Sequence, residues 1–264
     1  MKGKYELLLS LKLLNYSIKE LILYAKECSD CYKLLKDKLD YLCRFMIDEE
    51  NLKLWTLWGN QEDIKINCKK LRETALKALC FIEKYQSISI SKKETDISDY
   101  LKKLSTSVKK ELEQCCIDNS SKVIFVGSGA FPVSALIIAK EIRAEVICID
   151  IDIEALKYAE RLVKSANLAH LVKFSNRRLD RLAYTKKATH IIIASLVEDK
   201  FKIIEESKDI ISNNAKIILR YGNGLKSIFN CPLDFKLSSS CFKTRLNINN
   251  GLYDTIILEK VCNG

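Results

Sequence analysis

Apolar residues in the first 118 positions recur at helical spacing: Leu14, Ile18, Leu21 and Ala25, then Leu35, Leu39 and Leu42, then Leu71, Ala75, Leu79 and Ile82. This stretch holds no proline and only two glycines, Gly3 and Gly59, so little in it would break a helix from within. It predicts antiparallel helices packed through one face. Breaks are expected near Ser29-Asp30, at Gly59-Asn60 and across Ser87–Ser98, a run rich in Ser, Lys and Asp. A last helix follows over Asp99–Cys116. From Lys122 the period changes. KVIFV, AEVICID, THIIIAS and AKIILR read as short continuous apolar strands separated by helical segments, with a weaker strand at LVKFSN. EALKYAERLVKSA and FKIIEESKDII supply crossover helices, so the sheet is expected to be parallel and right-handed in its connections. The terminal LNINNGLYDTIILEKV carries Asn-Gly between two alternating runs, a hairpin signal that would add antiparallel edge strands.

A mainly parallel sheet finished by such a hairpin resembles the class I methyltransferase-like layout. The expected fold is therefore α/β, with an all-α helical-bundle domain over residues 1–118 and a Rossmann-like domain over 119–264.

Composition narrows the class. The chain has 264 residues, of which 48% are hydrophobic and 30% charged, a balance that excludes disorder. The N-terminal apolar stretch is brief, interrupted by Lys12 and followed by no small-residue cleavage site, so neither a signal peptide nor a membrane span is expected. Eleven cysteines without an export signal point to free thiols in the cytoplasm. Cys28 and Cys31 form a CxxC in a helical pattern without a second pair at zinc spacing, and read as buried small hydrophobes. A net charge of +10 raises the question of nucleic acid, but the lysines are scattered singly and alternate with acids, so no nucleic-acid partner is expected. The two histidines, His170 and His190, stand on separate segments, and no metal site is expected in the protein itself.

The strongest local chemistry is VIFVGSGAFP, where a strand runs into Gly127-Ser128-Gly129 and then into VSALIIAKEI. Glycines let the backbone approach a ligand, and a following helix start offers N–H donors. Asp150 ends the second strand roughly 20 residues on, where an acid can take both ribose hydroxyls of an adenosyl group. Phe131-Pro132 stands where a dinucleotide fingerprint wants a third glycine, which argues against a nicotinamide dinucleotide.

VGSGAFP, CIDIDIEALKYAERL, THIIIASL and RYGNGLKSIFNCP together resemble, in order, segments of the nicotianamine synthase family, most closely its bacterial staphylopine-type branch. RYGNGLKSIFN is the most specific piece, since ordinary methyltransferases have no counterpart. The resemblance implies transfer of the 3-amino-3-carboxypropyl arm of S-adenosylmethionine, as co-substrate, to an amino group of an amino acid such as histidine, with release of methylthioadenosine. By resemblance Glu83 is the general base and Tyr100 its aid, with Glu73 the competing position. Gly127, Ser128, Gly129, Phe131, Pro132 and Ile151 approach the cofactor, Asp150 takes its ribose, Asn176 its adenine amino group, and Ala194, Ser195 and Leu196 lie around its adenine and sulfur. Asn176 stands where the family usually has an acid. Arg220, Tyr221 and Asn223 close the substrate pocket by the same resemblance, although a salt bridge behind the strand is nearly as good a reading of Arg220. The product would pass to an opine dehydrogenase, and a homodimer is an open expectation. The rival readings are a methyltransferase on RNA or a small molecule, and a scaffold whose charge is its function.

Overall fold

The computed structural model describes residues 1–91, 99–234, 242–249 and 251–260, the side chains of 91, 99–102 and 246–249 apart. Five helices come first: α1 (Lys2–Glu27), α2 (Ser29–Phe45), α3 (Glu49–Trp58), α4 (Glu62–Ser91) and α5 (Asp99–Cys115). The break between α1 and α2 falls on Cys28, whose extended backbone stops the first helix and caps the second. A further break lies before Asp48, whose carboxylate accepts from Asn51 N–H at 3.0 Å and starts α3 as an N-cap. Two expectations need correction here. α4 runs through Ser87 to Ser91 because Ser87 is used in a tertiary contact described below, so only residues 92–98 of the expected loop lie outside the described residues. Cys28 is exposed because it sits at the helix junction, while Cys31 is half-buried and packs against the core.

The strands are β1 (Lys122–Val126), β2 (Glu145–Ile149), β3 (Val172–Ser175), β4 (His190–Ile193), β5 (Lys216–Tyr221), β6 (Phe242–Asn249) and β7 (Asp254–Lys260). They form one sheet in the order β3-β2-β1-β4-β5-β7-β6. The first five are parallel; β7 runs antiparallel beside β5, and β6 pairs with β7 at the edge. Between them lie α6 (Val133–Ile137), prolonged by a π-turn over Ile138–Ile142, then α7 (Ile153–Ser165) and α8 (Lys200–Ser207). Alternate residues of each strand enter opposite clusters. Val123, Phe125, Ile192 and Ile218 share a core with Leu7, Leu35, Leu71 and Val108 of the helices. Ile124, Ile191, Ile193, Ile217 and Leu219 pack on the other face with Ile204 and Ile211. The helical half is thus seated directly on one face of the sheet by shared apolar burial. Among the described residues no helix is long and apolar enough to cross a membrane.

β1 has β2 on one side and β4 on the other, so the direction of winding reverses there. Ligands of open α/β sheets bind beyond the carboxyl ends of the strands at that point.

Candidate active site

Four strand ends bring the sequence-predicted residues to one edge: Gly127–Gly129 follow β1, Asp150-Ile151 follow β2, Asn176 follows β3 and Ala194–Leu196 follow β4. Gly127 and Gly129 both hold positive φ, +78° and +66°. A Cβ on Gly127 would collide with Val197 Cγ2, so the loop after β1 touches the loop after β4. The loop's amides are already engaged. Gly127 and Ser128 N–H donate to Ile149 O at 2.8 and 3.3 Å, Gly129 N–H to Asp150 Oδ2 at 2.8 Å, and Ala130 N–H to Glu83 Oε2 at 3.3 Å. At the start of α6, Val133 N–H donates to Phe131 O at 2.8 Å. Ser128 is 4% exposed, and its buried hydroxyl makes no hydrogen bond within the chain. Pro132 is buried as the N-cap of α6, and Phe131 packs against the core.

Glu83 reaches this loop from α4. A Cβ on Gly129 would collide with Glu83 Oε2, so only glycine lets the carboxylate lie against the backbone. Three neighbours hold α4 in that position. Ser87, one turn on, donates to Ala130 O at 2.5 Å; Lys84 reaches Asp152 at 3.1 Å and Glu154 at 2.5 Å on the first turn of α7; Arg72 donates to Ser227 O at 2.7 Å. Burial pushes the Glu83 carboxyl from 4.5 up to about 8, against the lowering by the Ala130 N–H and with a further rise from the Asp150 carboxylate. Glu73, the competing acid, is exposed and lies ten residues earlier, about 15 Å along the helix.

Asp150 is half-buried and clasped by two amides, Gly129 N–H on Oδ2 and Asp152 N–H at 2.9 Å on Oδ1. Each oxygen keeps a second lone pair for another donor. Ile151 beside it is 97% exposed, and Asn176 is exposed in the turn after β3. Behind the β4 loop stands Lys200, 3% exposed, donating to Ser195 O at 3.1 Å and to Val197 O. Burial lowers this amine to about 8. Cys231 completes the clamp, its N–H on Ser195 O at 2.9 Å and its thiol on Leu196 O at 3.3 Å. These bonds fix the backbone of Ser195–Val197.

The expected substrate role of Arg220, Tyr221 and Asn223 is corrected. Arg220 is 3% exposed and carries a bidentate ion pair with Glu111 of α5, through Nε at 3.1 and 2.9 Å and through Nη2. Its Nη1 donates to Ser134 Oγ at 2.8 Å, and Thr255 donates to the same glutamate at 2.7 Å. This is the salt bridge behind the strand, and it leaves Arg220 no reach to a ligand. Tyr221 is 4% exposed and packs on the other sheet face, as strand alternation requires. Asn223 is turned to its own loop: its amide donates to Leu233 O at 3.1 Å and accepts from Leu233 N–H at 2.9 Å. Tyr100 falls in the first turn of α5, and its side chain lies outside the described residues.

Sequence reasoning missed Ser87, Lys84, Lys200 and Glu111. Ser87 carried a usable signal, one helical turn from Glu83; the other three are solvated charges by pattern, and only the tertiary structure gives them partners. No group of His, Cys, Asp or Glu among the described residues is arranged to hold a metal ion.

Comparison with known proteins adds a family. The family model described as nicotianamine synthase protein matches residues 97–261. The L-histidine 2-aminobutanoyltransferase of Pseudomonas aeruginosa strain UCBPP-PA14 is 35% identical over 260 residues, spanning 98% of this chain and 99% of the relative. The enzyme of the same name from Yersinia pestis is 34% identical over 258 residues, spanning 97% of this chain and 96% of that one. Among solved structures, MtNAS in complex with MTA and tNA superposes with a TM-score of 0.78 at 12% identity, over 96% of this chain and 97% of that one. A point mutant of MtNAS in complex with S-adenosylmethionine gives a TM-score of 0.74 at 12% identity, over 93% of this chain and 97% of that one. With a family model covering more than half its length and relatives above 30% identity end to end, the chain belongs to the nicotianamine synthase family.

Proposed function

We propose that this chain transfers the 3-amino-3-carboxypropyl group of S-adenosylmethionine to the amino group of histidine and releases 5′-methylthioadenosine. The observation that carries this reading is the Glu83 carboxylate lying against Gly129 and Ala130, at the crevice where this fold takes an adenosyl ligand. The acceptor is taken from the relatives' names, and the neighbour solved with S-adenosylmethionine supports the co-substrate.

The chemistry is a displacement at carbon. The acceptor nitrogen attacks the methylene of the longer arm, the C–S bond breaks, and its electron pair stays on sulfur as a neutral thioether. The product nitrogen is a secondary ammonium that keeps its proton at neutral pH, so one proton in all is released, the one lost before attack. A free amino acid carries an ammonium at neutral pH, so the nucleophile must first lose a proton. Glu83 in its ionised form, which gains population as pH rises toward about 8, is the group to take it: its proton affinity then approaches that of an amine, and transfer between them costs little. Which sulfonium carbon reacts depends on which is held in line with the nitrogen at ~3–3.5 Å. A carboxylate poised on the loop beside the methionine-derived part draws the amine to that side of the sulfur.

The remaining roles follow from the edge geometry. The free lone pairs of Asp150 take the ribose hydroxyls. Ile151, apolar and 97% exposed, covers the adenine with Ala194 and Leu196, and Asn176 accepts from the adenine amino group through its amide oxygen. Tyr100 assists Glu83 from α5. Residues 119–264 form the part that binds S-adenosylmethionine, and residues 1–118 bring the base.

The product is consumed by an opine dehydrogenase in opine metallophore synthesis in the cytoplasm. The chain pairs with a second copy through the exposed stripe Tyr5, Leu9, Leu13 and Tyr16 of α1. Light scattering of purified protein, with Leu9→Lys as control, tests the dimer.

The transfer is tested by incubating the protein with S-adenosylmethionine and a panel of amino acids, then identifying the nucleoside by-product by mass spectrometry. Methylthioadenosine formed with histidine supports it; S-adenosylhomocysteine overturns it.

A further inference from the structure

Cys28 and Cys31 play no part in the reaction above. Cys28 is at once the C-cap of α1 and the N-cap of α2, with φ −135° and ψ 118°. Its carbonyl accepts from Cys31 N–H at 3.1 Å, which closes the first turn of α2 and sets the two side chains on one side of it. The backbone N–H groups of Cys31 and Asp30 and the Cys31 thiol favour the ionised form of the Cys28 sulfur. Cys28 is exposed, whereas Cys31 is half-buried with one side against the helical core, so a molecule from solvent meets Cys28 first.

The turn that carries them is held rigidly from behind. Tyr32 is 7% exposed, stacks on Tyr85 of α4 with ring centroids 3.8 Å apart, and accepts from Gln86 Nε2 at 2.8 Å. Two cysteines three residues apart on one hydrogen-bonded, fixed turn need little backbone movement to close a disulfide. The donors around Cys28 hold its thiol below the usual range, with the Asp30 carboxylate acting weakly the other way, while Cys31, which donates to Cys28, is raised. That asymmetry separates an attacking thiol from a resolving one.

We propose that Cys28 and Cys31 are a thiol–disulfide exchange site, with Cys28 attacking and Cys31 resolving, whose substrate is the disulfide of a low-molecular-weight thiol. In the first step the Cys28 thiolate attacks one sulfur of the small disulfide, forms a mixed disulfide and expels one thiolate. In the second, the deprotonated Cys31 attacks Cys28 Sγ and expels the other half. The two thiolates leave with the two protons lost by the cysteines. The protein is oxidised by two electrons, and one small disulfide is reduced to two thiols.

The test uses the full chain with oxidised glutathione at neutral pH, followed by intact-mass and peptide mapping. Wild type should lose two hydrogens, with the cross-link mapped to Cys28–Cys31 and no retained glutathione. Cys31→Ser should accumulate one glutathione on Cys28, at least roughly tenfold faster than on the exposed Cys116 of the same molecule. Cys28→Ser should not cross-link and should load Cys31 slowly. Alkylation of wild type by iodoacetamide gives a measurement independent of variants, with Cys28 expected to react before Cys116. Equal rates at Cys28 and Cys116, or a wild type that keeps the mixed disulfide without the cross-link, overturns the proposal.

Discussion

Glu83 and Asp150 take consecutive amides of one loop: Gly129 N–H donates to Asp150 at 2.8 Å, and Ala130 N–H to Glu83 at 3.3 Å. One carboxylate comes from the end of β2 and the other from a helix of the N-terminal half. The loop after β1 is therefore the joint at which the two halves meet chemically, and the Asp150 carboxylate adds to the cost of ionising Glu83.

Glu83→Gln keeps the shape of the side chain and removes the base. Turnover to methylthioadenosine should fall roughly a hundredfold or more, the usual scale for a lost base. Affinity for S-adenosylmethionine, read by calorimetry, should persist. Glu73→Gln should leave both unchanged, because Glu73 is exposed and far along the helix.

The Glu83→Gln variant should also report on pH. Below 4.5 the Glu83 carboxyl is neutral in folded and unfolded chains, so its burial costs nothing. Between 4.5 and about 8 the unfolded chain releases the proton while the folded one keeps it, and stability drains away as pH rises. Above that window the cost is constant, on the order of a few kcal/mol. Melting temperatures of wild type and Glu83→Gln should thus diverge in favour of the variant between 4.5 and about 8. Parallel curves across that range would show that Glu83 titrates normally.

Gly129→Ala should be costly for two reasons. Its φ of +66° strains any Cβ, and that Cβ would collide with Glu83 Oε2. We expect a loss of about 1–3 kcal/mol in denaturant unfolding, with kcat falling more steeply than stability explains, since the carboxylate must move. A variant with normal kcat would mean that Glu83 need not touch the loop.

How much of this was legible in the sequence divides by distance along the chain. Continuous apolar runs and glycine punctuation are local, so β1 to β5, the Gly127–Gly129 loop and Asp150 could be read directly. The partners of Glu83 and Arg220 are not local: Ala130 lies 47 residues from the first and Glu111 109 from the second. For Arg220 a place in the substrate pocket and a salt bridge behind the strand stood nearly level in the sequence, because no pattern shows that a glutamate on α5 already fills it. Ser87 read as the start of a loop because its neighbours are polar, whereas its bond to Ala130 O keeps α4 helical there.

The Arg220–Glu111 pair should behave as a structural joint. Glu111→Ala leaves a buried guanidinium unpaired and should destabilise the fold by ~3–5 kcal/mol, the cost of breaking one partner of such a pair. At a temperature where the variant remains folded, its KM for the amino acid should stay near the wild-type value. A selective rise in that KM would return Arg220 to the substrate pocket.

The central claim is that the longer carbon arm of the sulfonium, not its methyl, reaches the acceptor. The most direct measurement uses S-adenosylmethionine deuterated in the methyl group, with histidine as acceptor, and follows the label by mass spectrometry. The label should remain entirely in the nucleoside thioether, while histidine gains the unlabelled aminocarboxypropyl mass. Deuterium on the acceptor would contradict the account.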